Sequence, residues 1–359
     1  MASSSQAVAP RRRVLELVEE SEQGVIAHLT SEPRVLRLGL LLGLQILGPS
    51  SSLAELPYQF DREWSVCTPI PVELCYDCGP SGIGVDALDC LYVTDTDNAH
   101  VKKYSAAGDG ITAWGSSGSG EAQFSAPHGI AVAPDGSVFV VDAGNARIEK
   151  FTADGSFLLA WGSIGYGAGQ FQYPLGIAVG PSGRVYVVDE YRRVVQIFSG
   201  QGEYVGAFGT NGAGDGQFIA PAEIAVGPSG TVYVTDDYLR RIQAFTMEGV
   251  FVGKWGSPGY GDGQFVSHLA VTVDGHGDVY VSDAGKYAVQ KFDAVGTFLM
   301  KWGSAGTGEG QFLYPSGLAV DSQFNVYLVD RGTCRVLKYT PNLTPTKRTT
   351  WGGVKVLYR

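Results

Sequence analysis

Three side chains of types that can hold a metal or move a proton stand out in this sequence. Histidine is scarce, with five in 359 residues. His128 and His268 each lie just before a short apolar segment, and Glu223 lies at the start of another one. Imidazole and carboxylate groups bind Zn²⁺, and carboxylates also bind Ca²⁺. These three residues are therefore candidates for a metal or catalytic site. The alternative expectation is no cofactor at all, because histidines are few and a third ligand is unassigned.

A second set of side chains suits recognition rather than catalysis. Tyrosine and arginine anchor protein interfaces, and arginine also binds carboxylates through two parallel hydrogen bonds. Several of them follow short strand-like runs that end in aspartate. Arg192, Arg193 and Arg240 carry more information about binding than Arg241, which is expected only to pack. The candidate binding residues are Tyr191, Arg192, Arg193, Tyr238, Arg240, Arg241 and Tyr287.

The five cysteines form a sparse and unevenly spaced set. Cys67, Cys75, Cys78 and Cys90 lie near the start, and Cys334 is far from them. Cys75 and Cys78 make a lone Cys-x-x-Cys, whereas a structural zinc site normally needs a second ligand pair. We expect one disulfide among the N-terminal cysteines, with free thiols as the alternative.

The elements that position these residues are set by an internal repeat. Aspartates recur every 47 residues, and two aromatic series keep the same period. Three series in one register predict six copies of one structural unit. The aspartates are Asp95, Asp142, Asp189, Asp236, Asp283 and Asp330, and the aromatic series run from Phe124 to Phe312 and from Trp114 to Trp302.

Each copy is a succession of short strands separated by turns. In the second copy, Gly129–Val132 is apolar, Val138–Val141 is β-branched and aromatic, and Arg147–Phe151 alternates. Phe157–Trp161 is a fourth run, and glycine-rich turns separate all four. Glycine accounts for 50 residues, which fits many tight turns. We therefore predict an all-β fold, a six-bladed β-propeller with four strands in each blade.

The same strings carry a family resemblance. Gly-Ile-Ala-Val, then Gly-x-Val-Tyr-Val-x-Asp, Asn-x-Arg-Ile and Phe-Leu-x-x-Trp-Gly resemble the NHL repeat, over about three quarters of the chain. Asn98–His100 and Asn145–Arg147 come closest to the signature turn, and no copy spells Asn-His-Leu. The resemblance implies a six-bladed propeller whose relatives include scaffolds, sensors, RNA binders and some lyases, so the fold alone does not assign a function.

The predicted ring places the candidate residues on one face. The turns between second and third strands emerge on the same face as the loops between blades, so the tyrosines and arginines should lie together there. Copies two and five stand opposite each other in a ring of six, so His128 and His268 should face each other across the channel mouth. Five copies have proline before the first strand, and Glu223 replaces the glycine found at Gly129 and Gly176.

The aspartate and aromatic series have a structural interpretation. Six equivalent aspartates cannot all be catalytic, and an aspartate at a strand end accepts hydrogen bonds from turn N–H groups. The phenylalanines and tryptophans are expected to form the core and the packing between blades. The glycine-rich loops lack the Lys-Ser/Thr and the helix of a phosphate-binding loop.

We divide the chain into an N-terminal extension (1–55), a linker with a candidate closing strand (56–79), the propeller (80–352) and a tail (353–359). The ring closes with Tyr58–Trp64, or alternatively with Thr346–Trp351, as the last strand of blade six.

Leu38–Leu47 is apolar and follows Arg34 and Arg37. Ten helical residues reach about 15 Å, half of a bilayer core, so this segment fits a secretion signal rather than a membrane span.

Charge and composition narrow the function classes. The net charge of −10 disfavours nucleic-acid binding, so no DNA partner is expected and RNA binding is a weak third class. The leading expectation is a monomeric, non-enzymatic recognition scaffold that binds a protein, peptide or glycan through the loop face. The alternative is a propeller lyase or hydrolase that uses a metal at the channel mouth. The signal-like segment favours a secreted or periplasmic protein, with a cytoplasmic location as the alternative.

Overall fold

The computed structural model describes residues 58–66 and 79–342, which belong to one compact unit. Six four-stranded antiparallel sheets form the blades, which confirms the predicted all-β propeller. The extension 1–55, the end of the predicted propeller (343–352) and the tail 353–359 lie outside the described residues. Within the described part, no helix is long and apolar enough to cross a membrane.

The two inner strands of each blade, together with the third strand, carry the core. First strands line the axis, and second strands are buried along their whole length because neighbouring blades cover both of their faces. The first strands are Pro80–Val85, Pro127–Val132, Pro174–Val179, Pro221–Val226, Leu269–Val273 and Pro315–Val320. The second strands are Leu91–Asp95, Val138–Asp142, Val185–Asp189, Val232–Asp236, Val279–Asp283 and Val326–Asp330.

The two outer strands complete each blade. Fourth strands alternate between half-buried and exposed residues, because one of their faces meets solvent. The third strands are His100–Tyr104, Arg147–Phe151, Val194–Phe198, Arg241–Phe245, Ala288–Phe292 and Arg335–Pro341. The fourth strands are Gly110–Trp114, Phe157–Trp161, Tyr204–Phe208, Phe251–Trp255, Phe298–Trp302 and, for blade six, Tyr58–Ser65. A small parallel pair, Thr210–Asn211 with Gln217–Phe218, and two 3-10 turns, Ala143–Asn145 and Arg331–Thr333, complete the elements.

Neighbouring blades are held together by aromatic rings placed against glycines. The Trp114 ring contacts Phe151 of the next blade at a centroid distance of 5.7 Å. A Cβ atom on Gly155 would lie 2.6 Å from that indole, and this glycine has φ +91°. A side chain there would meet both a steric and a conformational penalty. The aromatic series and its turn glycines therefore work as one packing unit, repeated between blades.

The strand Tyr58–Ser65 supplies the fourth strand of blade six. It pairs antiparallel with Arg335–Pro341, and Glu63 accepts a hydrogen bond from Arg335 at 2.7 Å. The Tyr58 ring stacks on Trp302 of blade five at 4.7 Å. Of the two closures considered, the structure has the N-terminal one, and Thr346–Trp351 lies outside the described residues. Strands near the two ends of the described residues thus share one sheet, so the ring is closed by hydrogen bonds.

Deletion of Tyr58–Trp64 should destabilise the propeller by at least about 3 kcal/mol, because it removes a full strand ladder and the Trp64 ring. Thermal unfolding measures the effect. Arg62→Ala, which changes an exposed side chain of the same strand, is the matched control and should leave the melting temperature unchanged. A deletion variant that melts with the wild type would contradict this closure.

Candidate functional site

The repeated aspartates fix the geometry of the loop face. Asp189 accepts hydrogen bonds from the N–H groups of Gln172 (2.9 Å) and Tyr173 (3.0 Å), which lie in the loop entering the same blade. It also accepts one from the N–H of Arg192 in its own turn (3.3 Å). Equivalent loop bonds reach Asp142, Asp236, Asp283 and Asp330. The aspartates are structural, as predicted. They accept hydrogen bonds within their own turns and also join these turns to the loops that enter the blades.

A basic side chain in each of blades two to six ties down the same loop. Arg241 donates to the carbonyls of Ala213, Gly214 and Gln217 at 2.8–3.0 Å. Arg147 and Arg335 bind loop carbonyls in the same way from the same repeat position. In blade three that position holds a valine, and in blade five an alanine. There Arg192 and Lys286, two residues earlier, bind the loop carbonyls instead.

This contact between a basic side chain and the loop carbonyls, which we call the loop tether, changes the expected roles of the predicted binding residues. The Arg192 guanidinium donates to Gly167 (2.9 Å) and Gln170 (2.5 Å), so it performs the structural role expected only of the Arg241 position. Arg193 donates through Nε to the carbonyl of Ile219 at 3.1 Å. Tyr191 is exposed and stacks on Tyr173 at 4.9 Å. The arginine part of the predicted patch is thus largely committed to holding loops, and the tyrosines remain open.

Three of the candidates share a backbone conformation. Arg193, Arg240 and Tyr287 have φ values of +57°, +53° and +54°, in the left-handed region. The same repeat position is left-handed in all six blades, where it holds Ala99, Ala146, Arg193, Arg240, Tyr287 and Cys334. Because every blade uses this turn, the conformation belongs to the scaffold. It also shows that alanine is accommodated at the position of Arg240.

The loop face opens into a central cavity, which we call the mouth. It has a volume of about 480 Å³ and draws its walls from all six blades, with residues at the start of each first strand. Of the predicted site residues, it brings together His128, His268, Glu223, Tyr238 and Arg240. The other lining residues are Ser81, Tyr173, Leu175, Glu190, Ala220, Ala222, Asp237, Ser267, Leu269, Tyr314, Ser316 and Arg331.

Glu223 departs from the repeat at the place where this cavity meets the channel along the axis. Its column holds Gly82, Gly129, Gly176, Ala270 and Gly317 in the other blades, and a Cβ atom at Gly129 would lie 2.4 Å from the carbonyl of Leu175 in the next blade. The blade that follows Glu223 is also irregular, because the pairing of Leu269–Val273 lacks the register shift seen in the other first strands. Glu223 lines both the mouth and the 320 Å³ channel below it. Its carboxyl group therefore stands at the junction of the two spaces.

Two further carboxyl groups share the mouth with Glu223. Asp237 accepts a hydrogen bond from the N–H of Leu269 at 3.0 Å, and Glu190 lies on the neighbouring blade. Burial and the nearby Asp237 raise the pKa of Glu223 to about 8. Burial also raises the pKa of Asp237 to about 7, with Arg240 acting in the opposite direction, and it raises the pKa of Glu190. The mouth thus holds carboxyl groups that take up and release protons near neutral pH.

The two histidines pack on the aromatic wall of the mouth. The His128 ring meets Tyr173 edge-on at 6.3 Å, and the His268 ring lies 5.2 Å from Tyr314. They come from blades two and five, three blades apart in the ring. In the part of the chain that the structure describes, no three His, Cys, Asp or Glu side chains are grouped closely enough to hold a metal ion. The geometry brings the predicted metal candidates to one cavity without bringing them into one coordination sphere.

Sequence reasoning missed Asp237 and Glu190, although a signal for them exists. Both directly follow a repeated aspartate, at a position that holds Thr96, Ala143, Ala284 and Arg331 in the other blades. Comparing this position across copies would have marked blades three and four as acidic.

The cysteine expectation also changes, because Cys334 is disulfide-bonded and Cys90 is free and half-buried. Cys67, Cys75 and Cys78 lie outside the described residues.

Arg241→Ala should lower the free energy of unfolding by about 3 kcal/mol, because three loop carbonyls lose their donor. Arg240→Ala is the matched control and should stay within about 0.5 kcal/mol of wild type, since two blades already carry alanine at that position. Urea unfolding of both variants measures the difference. Equal losses for the two arginines would show that the loop tether has been misassigned.

Glu223→Gln should stabilise the protein increasingly as the pH rises. The folded-state pKa of about 8 lies above the ordinary 4.5, so the contribution of Glu223 is fully present below about pH 4.5 and is lost as the pH passes through 8. The advantage of the glutamine variant should therefore grow by about 4 kcal/mol between about pH 5 and pH 8.5. Urea unfolding at both pH values tests this, with the exposed Glu203→Gln as control. Parallel stability curves for wild type and Glu223→Gln would rule out the raised pKa.

Comparison with known proteins supports the repeat and the fold. The NHL repeat model matches residues 124–151, and a model described as a six-bladed β-propeller matches residues 172–254. No curated protein is significantly similar in sequence.

Solved structures share the architecture at low sequence identity. A virginiamycin B lyase from Staphylococcus aureus, solved with quinupristin, is 13% identical with a TM-score of 0.55, over 79% of this chain and 99% of that one. A gluconolactonase from Xanthomonas campestris is 15% identical with a TM-score of 0.55, over 82% and 99% of the two chains. A Bacteroides thetaiotaomicron protein of unknown function is 16% identical with a TM-score of 0.59, over 79% and 73%. At these identities the likeness concerns the fold. The chain is a six-bladed β-propeller, and its residues 124–151 match the NHL repeat.

Proposed function

We propose that the protein is a recognition scaffold that binds a peptide segment of a protein partner across the loop face, with the mouth as its anchor point. One observation carries the proposal: three acidic residues that depart from the repeat line one cavity, the mouth. Glu223 replaces glycine or alanine there, and Asp237 and Glu190 follow the repeated aspartates of adjacent blades. A residue that a repeated scaffold does not need is a candidate for function, since the packing of the other blades is complete without it.

The surface around the mouth has the composition of an interface. Tyr238 is 69% exposed and Tyr191 is 62% exposed, and both stand on turns beside the cavity. Large aromatic side chains held on rigid turns give contact area at a low cost in conformational entropy. Tyr166 and Tyr260, on the loops between blades, are each 74% exposed on the same face. These exposed rings give the loop face apolar area that a partner can cover.

A second candidate, a lyase or hydrolase, is favoured by the raised pKa of Glu223. A carboxyl group with a pKa of about 8 can donate a proton at neutral pH, and a neighbouring Asp237 with a pKa of about 7 can accept one. Lyase and gluconolactonase structures share this fold, and the chemistry of those proteins is their own. His128 and His268 would stand beside any substrate in the mouth. On this alternative, Glu223→Gln abolishes turnover.

We also propose that the protein works outside the cytosol. The apolar Leu38–Leu47 segment supports this, and so does the disulfide-bonded state of Cys334. Disulfides persist in oxidising compartments and are rare in the cytosol.

Selection from a random peptide library on the immobilised protein tests the recognition proposal. Selected peptides should lose at least about tenfold in affinity for a Tyr191→Ala/Tyr238→Ala double variant, because both exposed rings stand on turns beside the mouth. Surface plasmon resonance measures the affinities.

Tyr204→Ala is the matched control, because Tyr204 is an exposed tyrosine (43%) on the outer strand of blade three. It should leave the affinity unchanged. Failure to select any peptide, or equal losses in the control, would contradict peptide recognition at this face. Glycan-array binding that depends on the same two residues would assign the face to a different class of partner.

A further inference from the structure

The charge distribution of the mouth is uneven. Glu190, Glu223 and Asp237 come from the adjacent blades three and four, so the carboxyl groups gather on one side. The positive charge of Arg193 lowers the pKa of Glu190, and that of Arg240 lowers the pKa of Asp237, in both cases against the larger effect of burial. The charged neighbour that acts on Glu223 is another carboxyl group, Asp237. This side of the cavity is therefore the part of the mouth where an added positive charge would be stabilised most.

The wall beside the carboxyl groups is aromatic. Tyr238 follows Asp237 directly in the chain and lines the same cavity, as do Tyr173 and Tyr314. Tyr191 stacks on Tyr173 at 4.9 Å and His268 packs near Tyr314 at 5.2 Å, so these rings are supported by neighbours. The faces of tyrosine rings attract cations, and this attraction grows as water is excluded. Carboxylates and aromatic faces around one space form the usual environment for an organic cation.

The size of the mouth limits what can enter. A cavity of about 480 Å³ lies at the small end of the range for ligand pockets, which runs from about 300 to 1,000 Å³. A single long side chain fits this space, whereas a folded domain can only cover its rim. The carboxyl group of Glu223 lies at the bottom, where the mouth meets the channel. An extended side chain with its charge at the tip would reach it.

We propose that the mouth binds the cationic side chain of a lysine or arginine in the partner peptide, seated between Glu223 and Asp237 and against Tyr238. This inference rests on the proposed peptide recognition and names the chemistry of its anchor. The scaffold itself does not need the acidic residues, since alanine or glycine occupies the Glu223 position in five blades and alanine the Asp237 position in two.

Binding should be linked to proton release. A bound cation favours the ionised form of Glu223 and Asp237, whose pKa values of about 8 and 7 lie above the ordinary ones. Affinity should therefore rise between about pH 6 and pH 8.5. The other groups lining the cavity, namely Glu190, Arg240, Arg331, His128, His268, Tyr173, Tyr238 and Tyr314, are unchanged in the comparison of variants below. The difference between wild type and Glu223→Gln thus isolates one carboxyl group.

Isothermal titration calorimetry with three small probes tests the proposal on the full chain. Nα-acetyl-lysine amide and Nα-acetyl-arginine amide carry the cation, and Nα-acetyl-norleucine amide is the neutral control of similar shape. At least one cationic probe should bind about tenfold more tightly than norleucine amide, and more tightly at about pH 8.5 than at pH 6. Glu223→Gln and Glu223→Ala should each remove most of this preference, and Glu203→Gln, an exposed carboxyl group of blade three, should not. Unchanged circular dichroism shows that the variants fold.

Equal binding of the neutral probe, or full retention of the preference in both Glu223 variants, would overturn the proposal. If library peptides without basic residues bind at the mouth, peptide recognition stands and the cationic anchor is wrong. If the lysine probe and free alkylamines bind but no peptide is selected, the cation site stands and a small amine replaces the peptide as its ligand. If neither peptides nor cations bind, both proposals fail.

Discussion

The buried aspartate at the end of each second strand is the interaction on which the loop face depends. In blades two to six its carboxylate binds N–H groups of the loop that enters the same blade, at 2.6–3.2 Å. A buried carboxylate is costly unless its hydrogen bonds are made, so the loop cannot move away without exposing an unsatisfied charge. The arginine and lysine tethers act on the same loops from the other side. Together they give a rigid rim, and a rigid rim can hold side chains in place for binding.

This division of labour explains where function can reside. Residues that recur from repeat to repeat serve packing. Examples are the aromatic rings that end the fourth strands and the turn glycines against which they pack. Residues that occur once are available for other uses, and around the axis these are Glu223, Asp237, Glu190, His128 and His268. They line one cavity because the start of every first strand points to the axis. A propeller thus collects single substitutions from distant parts of the sequence into one site, which is how the ring converts sequence variation into a binding surface.

Much of the fold could be predicted from the sequence because the 47-residue period fixes strand order and blade number. The ends of the second strands, the core aromatics and the side of the ring that carries the loops all follow from it. The roles of individual arginines did not follow. Arg192 and Arg241 stand at different repeat positions, and only the three-dimensional path of the loops shows that both guanidinium groups reach equivalent carbonyls in their own blades. Asp237 was missed for a related reason, since an aspartate after a strand is ordinary until its neighbours around the axis are known.

The central claim is that the mouth, rather than the outer surface of the blades, is the functional site. Hydrogen–deuterium exchange of the protein with and without a selected peptide tests it most directly, because it reports every segment at once. The claim predicts added protection in the segments 220–224, 236–241 and 267–270, which border the cavity. Protection confined to outer strands such as Phe157–Trp161 or Phe251–Trp255, with the mouth segments unchanged, would contradict it.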